Sequence, residues 1–173
     1  MSVIIEVGAH EGAETLKFLG DADATVYAFE PDAVKFRALV AMARSYPRLT
    51  VLPFAVDIGD NQEPLFDVAD GQSTLQPPWG QPSASFRMVW TIRLETFLHL
   101  YSIEKVDYLR IDAPNREEMC LESLGSFAHR VERGRVCLYG TNPAVPTYLY
   151  DHGFNLQHDT TTAFGRPDMR FWR

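Results

Sequence analysis

The sequence has little of what would mark it for a membrane, a polyanion or an oxidising compartment. Its apolar runs stop well short of the ~20 residues that a bilayer span requires. Basic residues are in the minority: 16 Lys and Arg stand against 23 Asp and Glu, a net charge of −7. Binding a phosphate backbone relies on clustered Lys and Arg, so neither nucleic acid nor an anionic membrane is an expected partner. Cysteine occurs only as Cys120 and Cys137, each inside an apolar stretch. Such cysteines read as buried free thiols of a reducing compartment. No basic region precedes the first apolar run, and Glu6 interrupts it. This argues against a signal peptide and for a cytoplasmic protein. The five histidines form no His-Glu-x-x-His pattern and no paired-cysteine spacing accompanies them, so no metal site is expected.

What is present is globular material: 173 residues, 46% hydrophobic and 23% charged. A chain of this size buries roughly 70% of its unfolded surface and needs no staples, and residues 1–173 read as a single domain. Short β-rich runs alternate with helical patterns. "VIIEV", "TVYAFE", "LTVLPFAV" and "VDYLRID" read as buried strands. "GAETLKFLG" fits a short helix. "DAVKFRALVAMARSYP" fits a longer one, with Asp32 as N-cap, Phe36, Leu39, Val40 and Ala43 on one face, and Pro47 beyond its end. "EPLFDVAD" and "MVWTIRLE" look like strands flanking a Gly/Pro/Ser/Gln-rich spacer. That loop, about residues 70–86, is too long for a tight turn and suits a lid.

"NREEMCLESLGSFAHRV" reads as a helix, with Asn115 and Glu118 in capping-box spacing. "RVCLYG" is a further strand, "PAVPTYLYDHG" a short helix, and "FNLQHDTT" with "MRFWR" a closing antiparallel pair. Strand–helix alternation with apolar strands predicts an α/β fold: a mostly parallel, Rossmann-like sheet of seven strands with helices on both faces.

Doubly wound sheets bind ligands outside the carboxyl ends of their strands. The first strand ends at Val7, so "GAHEG" occupies that edge. Gly8 allows a tight turn and a close ligand, and Gly12 allows close helix packing. The second strand ends in "FEP", where Glu30 could accept hydrogen bonds from both hydroxyls of a ribose. The diphosphate-cradling G-x-G-x-x-G pattern is absent, so a nucleoside without a diphosphate suits the turn better than a nicotinamide dinucleotide.

In these blocks the sequence resembles the FkbM-type methyltransferases. "VIIEVGAHEG", "VYAFEPDAVKFRALV", "LTVLPFAVDIGD", "STL", "TIRLETFL" and "VDYLRIDAPNREEMCLESL" follow the family's blocks in order. The resemblance implies a class I enzyme that uses S-adenosylmethionine, leaves S-adenosylhomocysteine, and O-methylates a sugar or natural-product-like acceptor. It implies that Glu6, Gly8, His10 and Gly12 line the methionine side of the cofactor and that Glu30 holds the ribose. Ala55, Val56 and Asp57 would flank the adenine. Asp112, ending the fourth parallel strand, is the expected base for an alcohol acceptor.

Family members continue that strand as K-I-D-x-E-G-x-E, whereas this chain reads "RIDAPNREE". Asp112 and Glu117 match; Pro114 and Asn115 replace the Glu-Gly step. Asn115 reads as a helix cap before a substrate ligand. Glu95 stands where the family tends to have Asp and reads as a helix-start acid. Ser73 and Thr74 match a small hydroxyl block and, with Trp79, could close over cofactor or acceptor. Helices that precede the first strand in many class I enzymes have no counterpart here. The expectation is an acceptor side closed by the 70–86 loop or by another subunit, suited to a small-molecule or carrier-tethered acceptor. Two alternatives stand beside this reading: a noncatalytic S-adenosylmethionine-binding domain with a degenerate acceptor site and, more distantly, a nicotinamide-dependent oxidoreductase.

Overall fold

A computed structural model of the chain describes residues 1–67, 72–77, 85–159 and 167–173. The first half alternates β1 (Ser2–Val7), α1 (Ala13–Leu19), β2 (Ala24–Phe29), α2 (Ala33–Ala43) and β3 (Leu49–Leu52). Four short or antiparallel strands follow: β4 (Ala55–Val56), β5 (Gln62–Asp67), β6 (Ser73–Thr74) and β7 (Phe86–Ile92). The chain then runs through α3 (Leu94–Leu100), β8 (Tyr108–Ile111), α4 (Glu117–Glu122), a 3-10 helix (Gly125–Arg130) and β9 (Arg133–Cys137). It ends with α5 (Ala144–Asp151), β10 (Asn155–Asp159) and β11 (Asp168–Trp172).

The main sheet has seven strands in the order β10-β11-β9-β8-β1-β2-β3. Strands β3, β2, β1, β8 and β9 are mutually parallel, and β11 and β10 are antiparallel. The order reverses between β1 and β8, which is where such sheets open a crevice at their strand ends. The expected α/β architecture is therefore present, closing antiparallel pair included.

On one face, Ile5, Val7, Leu109, Ile111, Val136, Met169 and Phe171 pack against Phe97 and Leu98 of α3, Leu121 of α4 and Leu149 of α5. On the other, Ile4, Ala24, Val26, Ala28 and Leu49 meet Leu19 of α1 and Leu39 of α2. Among the described residues, α1 and α2 cover only the β1–β3 half of this second face. Beyond β1, helix α1 reaches the edge, where Phe18 packs on Tyr108 at 5.6 Å between ring centroids. Past that contact the face turns polar. Glu6, Arg110, Arg135, Arg170 and Gln157 form one cross-strand row, and Cys137, Asp168 and Asp159 form the next. Arg133, Arg170 and Trp172 are exposed there.

Four local expectations are corrected. The third strand is two, split by Pro53, which has no N–H for a ladder; β3 joins the main sheet while β4 pairs with β7 in a second sheet. That sheet runs β4-β7-β5-β6. The helix after Asn115 is shorter than its pattern and passes into the 3-10 segment. Its N-cap is Arg116 rather than Asn115. Along α2, Leu39 is buried as expected, but Val40 is exposed and Met42 packs toward the core in its stead. Asp32 does cap that helix, accepting from the N–H groups of Val34 and Lys35 at 2.9 Å each.

A candidate cofactor and acceptor cleft at the strand ends

The turn after β1 is built on backbone that ordinary side chains avoid. Gly8, His10 and Gly12 have φ of 79°, 53° and 85°. At Gly8 a Cβ would lie 2.1 Å from the Asp112 carbonyl oxygen, so only glycine lets the end of β8 come this close. Gly12 serves packing: a Cβ there would meet Met42 Cε at 2.6 Å and Leu39 Cδ2 at 2.8 Å.

Glu30, 6% exposed, ties this turn to β2. Its Oε2 accepts the His10 N–H at 2.8 Å and its Oε1 the Asp32 N–H at 2.9 Å. Burial raises its carboxyl above the ordinary value, against the pull of these two donors. Each oxygen retains acceptor capacity beyond its backbone bond.

A cavity of about 500 Å³ opens above these strand ends, within the size range of small-molecule sites. Glu6, Gly8 and His10 line it from β1 and its turn, Glu30 from β2, and Ala55 and Val56 from β4. Arg110, Asp112 and Tyr139 line the β8–β9 side, and Ser73 and Thr74 face them from β6. Sequence patterns scattered over the chain thus converge on one cleft. Three candidates stand outside its lining. Gly12 packs as described, and Asp57, almost fully buried, is held by the Nε of Arg116 at 3.0 Å and by its Nη2. Asn115 is exposed. Trp79 lies outside the described residues.

On the β8 side of the cleft, each Asp112 oxygen accepts one hydrogen bond. Tyr139 Oη donates to its Oδ1 at 2.7 Å and Arg110 Nη2 to its Oδ2 at 2.6 Å. Glu117, 1% exposed, accepts the Tyr139 backbone N–H at 2.8 Å and so fixes the end of β9. Arg110 and Tyr139 escaped the sequence reading. Their only signal was their position at, or just beyond, the ends of strands adjoining the crevice.

The Pro114–Asn115 departure has a conformational explanation. The Arg116 N–H returns to the Ala113 carbonyl at 3.0 Å, closing a four-residue turn. Asn115 sits at its third position with φ 60°. Pro at the second position and a left-handed Gly or Asn at the third are what a type II turn favours. Pro-Asn therefore suits the turn that this chain adopts, without the carboxylate of a Glu-Gly step. The Pro114 carbonyl accepts the Thr74 hydroxyl at 2.7 Å, which pins β6 to this turn. Arg87 adds a second tie, linking Asp32 to Asp67 and Ser73. Glu95 lies away from the cleft: it accepts from the Ser126 N–H and hydroxyl and pairs with Arg93.

Compared with known families, the sequence matches the methyltransferase FkbM domain over residues 6–156. The chain belongs to that family. It is an FkbM-type, S-adenosylmethionine-dependent methyltransferase. A sequence comparison with curated proteins finds no match. Solved structures agree on the fold. Fibrillarin from Aeropyrum pernix, with natively bound S-adenosylmethionine, superposes with a TM-score of 0.61 at 12% identity, over 99% of this chain and 66% of that one. An rRNA methylase from Streptococcus thermophilus gives 0.58 at 12% identity, over 99% and 86%. TrmK from M. capricolum, solved with S-adenosylhomocysteine, gives 0.59 at 8% identity; this FkbM-type chain is covered to 99% and spans 62% of that protein.

The residues present fit the cofactor. Glu30 offers two carboxylate oxygens at the cavity wall, Gly8 keeps the turn free of a side chain, and the cavity has the volume for a nucleoside with an amino-acid tail. Among the described residues, no helix is long and apolar enough to cross a membrane, and no group of three or more His, Cys, Asp or Glu could hold a metal. Cys120 and Cys137 are buried, and burial pushes the Cys137 thiol up to about 11.

Proposed function

We propose that the cleft holds S-adenosylmethionine across the ends of β1, β2 and β4, and that the enzyme O-methylates a sugar or natural-product-like small molecule. Glu30 carries the reading of the donor site. It is a buried carboxylate with each oxygen anchored by one backbone N–H, so its remaining lone pairs suit a vicinal diol. Glu6, Gly8 and His10 contact the cofactor's amino-acid side, and Ala55 and Val56 contact its base. Gly12 and Asp57 act one step removed, by seating α1 on α2 and by holding Arg116.

When bound, the cofactor supplies an electrophilic methyl group. In-line transfer then asks the protein to align an oxygen and exclude water. Asp112 receives the acceptor's hydroxyl proton, and Arg110 and Tyr139 fix the carboxylate's orientation. The Thr74–Pro114 bond holds β6 as the opposite wall. A small acceptor is favoured over RNA by the net charge of −7.

The engagement of both Asp112 oxygens supports one second reading, a domain that binds the cofactor without turnover. Calorimetry with S-adenosylmethionine, S-adenosylhomocysteine and a nicotinamide dinucleotide, followed by methyl transfer to a hydroxyl library that includes RNA oligonucleotides, separates these readings. Asp112→Ala is expected to cut turnover by about 10²–10⁴-fold while product binding persists. Undiminished turnover would remove Asp112 from the chemistry. Product binding with no turnover on any acceptor would favour the second reading.

A further inference from the structure

Two groups meet the Asp112 carboxylate, and they are held in different ways. Arg110 stands on β8 itself, two residues before Asp112, so one strand carries both partners of that pair. Tyr139 lies past the end of β9. The backbone bond just before it runs from the Leu138 N–H to the Pro167 carbonyl at 3.0 Å. Just after it, Gly140 takes a φ of 100° as the chain leaves the sheet. Between them, the Tyr139 N–H goes to Glu117 Oε1 at 2.8 Å. Glu117 is the first residue of α4 and only 1% exposed. The backbone N–H groups of Asn115 and of Glu117 itself also favour its ionised form. One buried carboxylate thus joins the turn that follows Asp112 to the segment that carries Tyr139. An acid at a helix start suits the macrodipole without being buried, and burial costs it hydration. Its placement here is explained by what it joins.

We propose that Glu117 is a positioning residue for methyl transfer and acts through Tyr139. By holding the Tyr139 N–H it keeps the Tyr139 hydroxyl on Oδ1 of Asp112, and so aims the carboxylate at the acceptor oxygen. This inference rests on the reading of Asp112 as the base. Glu117 stands outside the cavity lining, so it reaches the reaction only through what it holds. The path is short: 2.8 Å from Glu117 to the Tyr139 N–H, then 2.7 Å from the Tyr139 hydroxyl to Asp112. A reacting group displaced by about 1 Å can cost about 10²-fold in rate. Losing the tie therefore slows transfer without weakening the donor site.

A crystal structure of Glu117→Ala reads the contact directly, whether or not an acceptor is in hand. The Tyr139 hydroxyl is expected beyond hydrogen-bond reach of Asp112, farther than about 3.2 Å. With S-adenosylmethionine and the best acceptor from the hydroxyl library, kcat should fall by about 10²-fold. The dissociation constant of S-adenosylhomocysteine should stay within about twofold. In a Tyr139→Phe background, Glu117→Ala should cost less than about threefold more, because the hydroxyl it positions is already gone. Glu117→Gln keeps an oxygen for the Tyr139 N–H and should restore the contact. A Tyr139 hydroxyl still bonded to Asp112 in Glu117→Ala would overturn the inference, as would losses that multiply in full in the double variant. Should Glu117→Ala fail to fold, Glu117→Asp carries the same tests, since it keeps the charge and withdraws the oxygens by one methylene. Undiminished turnover in Asp112→Ala would instead overturn the reading of Asp112 as the base.

Discussion

The two halves of one sheet face obey different physics. Over β1–β3, the residues facing α1 and α2 are Ile4, Ala24, Val26, Ala28 and Leu49, all buried. Over β8, β9 and β11 the same face carries Arg110, Arg133, Arg135, Arg170, Asp168 and Trp172. The apolar half is held by area removed from water, at roughly 25 cal/mol per Å². The polar half is held by ion pairs: Arg135 with Asp168, and Arg170 with Asp159. The second of these, with Arg170 more than half exposed, contributes little to stability, while the first has its carboxylate almost fully buried. Their presence shows instead that this half need not be apolar to stand, because its opposite face packs on α4 and α5. The cleft lies on the seam, where Glu6 belongs to an apolar strand and faces a charged one.

The largest expected effect is on the covered half. Leu39→Ala deletes a fully buried contact to β1–β3 and should cost about 2–5 kcal/mol, read as a lower denaturation midpoint in urea. A loss below about 1 kcal/mol would mean that this half is less tightly packed than its burial implies.

At the seam the sign reverses. The Glu6 carboxyl is raised in the folded chain, so its contribution to stability is full below 4.5 and is lost as pH rises through about 7. The shift corresponds to about 3 kcal/mol. Without ligand, Glu6→Gln should therefore raise the melting temperature at pH 8 and leave it nearly unchanged at pH 4. An equal shift at both values would show that the effect is packing rather than charge.

The smallest effect belongs to the polar half. Arg133→Ala, on an exposed side chain with no ion pair among the described residues, should leave stability within about 0.5 kcal/mol. A larger loss in thermal unfolding would mean that the polar half is held more tightly than exposed arginines allow.

Much of the fold was legible because buried parallel strands carry continuous apolar runs and their helices carry a 3.6-residue period. "VIIEV", "TVYAF" and "DYLRI" needed no partner to be recognised. The split at Pro53 and the second sheet were less legible, since a two-residue strand has no period to read. At the site, glycines and strand-end carboxylates announced Gly8, Glu30 and Asp112. Arg110 and Tyr139 gave no such notice: a single arginine or tyrosine has no spacing signature, and although Arg110 lies two residues before Asp112, only the pairing of β9 with β8 brings Tyr139 to it. At the Pro-Asn step the sequence shows the missing carboxylate, while the turn that the left-handed φ of Asn115 makes is visible only in the structure.

By itself the sequence determined the order of strands and helices, the family, and the presence of carboxylates at the crevice, because local periodicity and turn chemistry are written residue by residue. Which half of the sheet face is polar, which carboxylates share Arg110, and how far the Glu6 carboxyl is raised were decided only by the tertiary structure. Those properties depend on distances between strands far apart in the chain and on exclusion of water, and neither is encoded in any local segment.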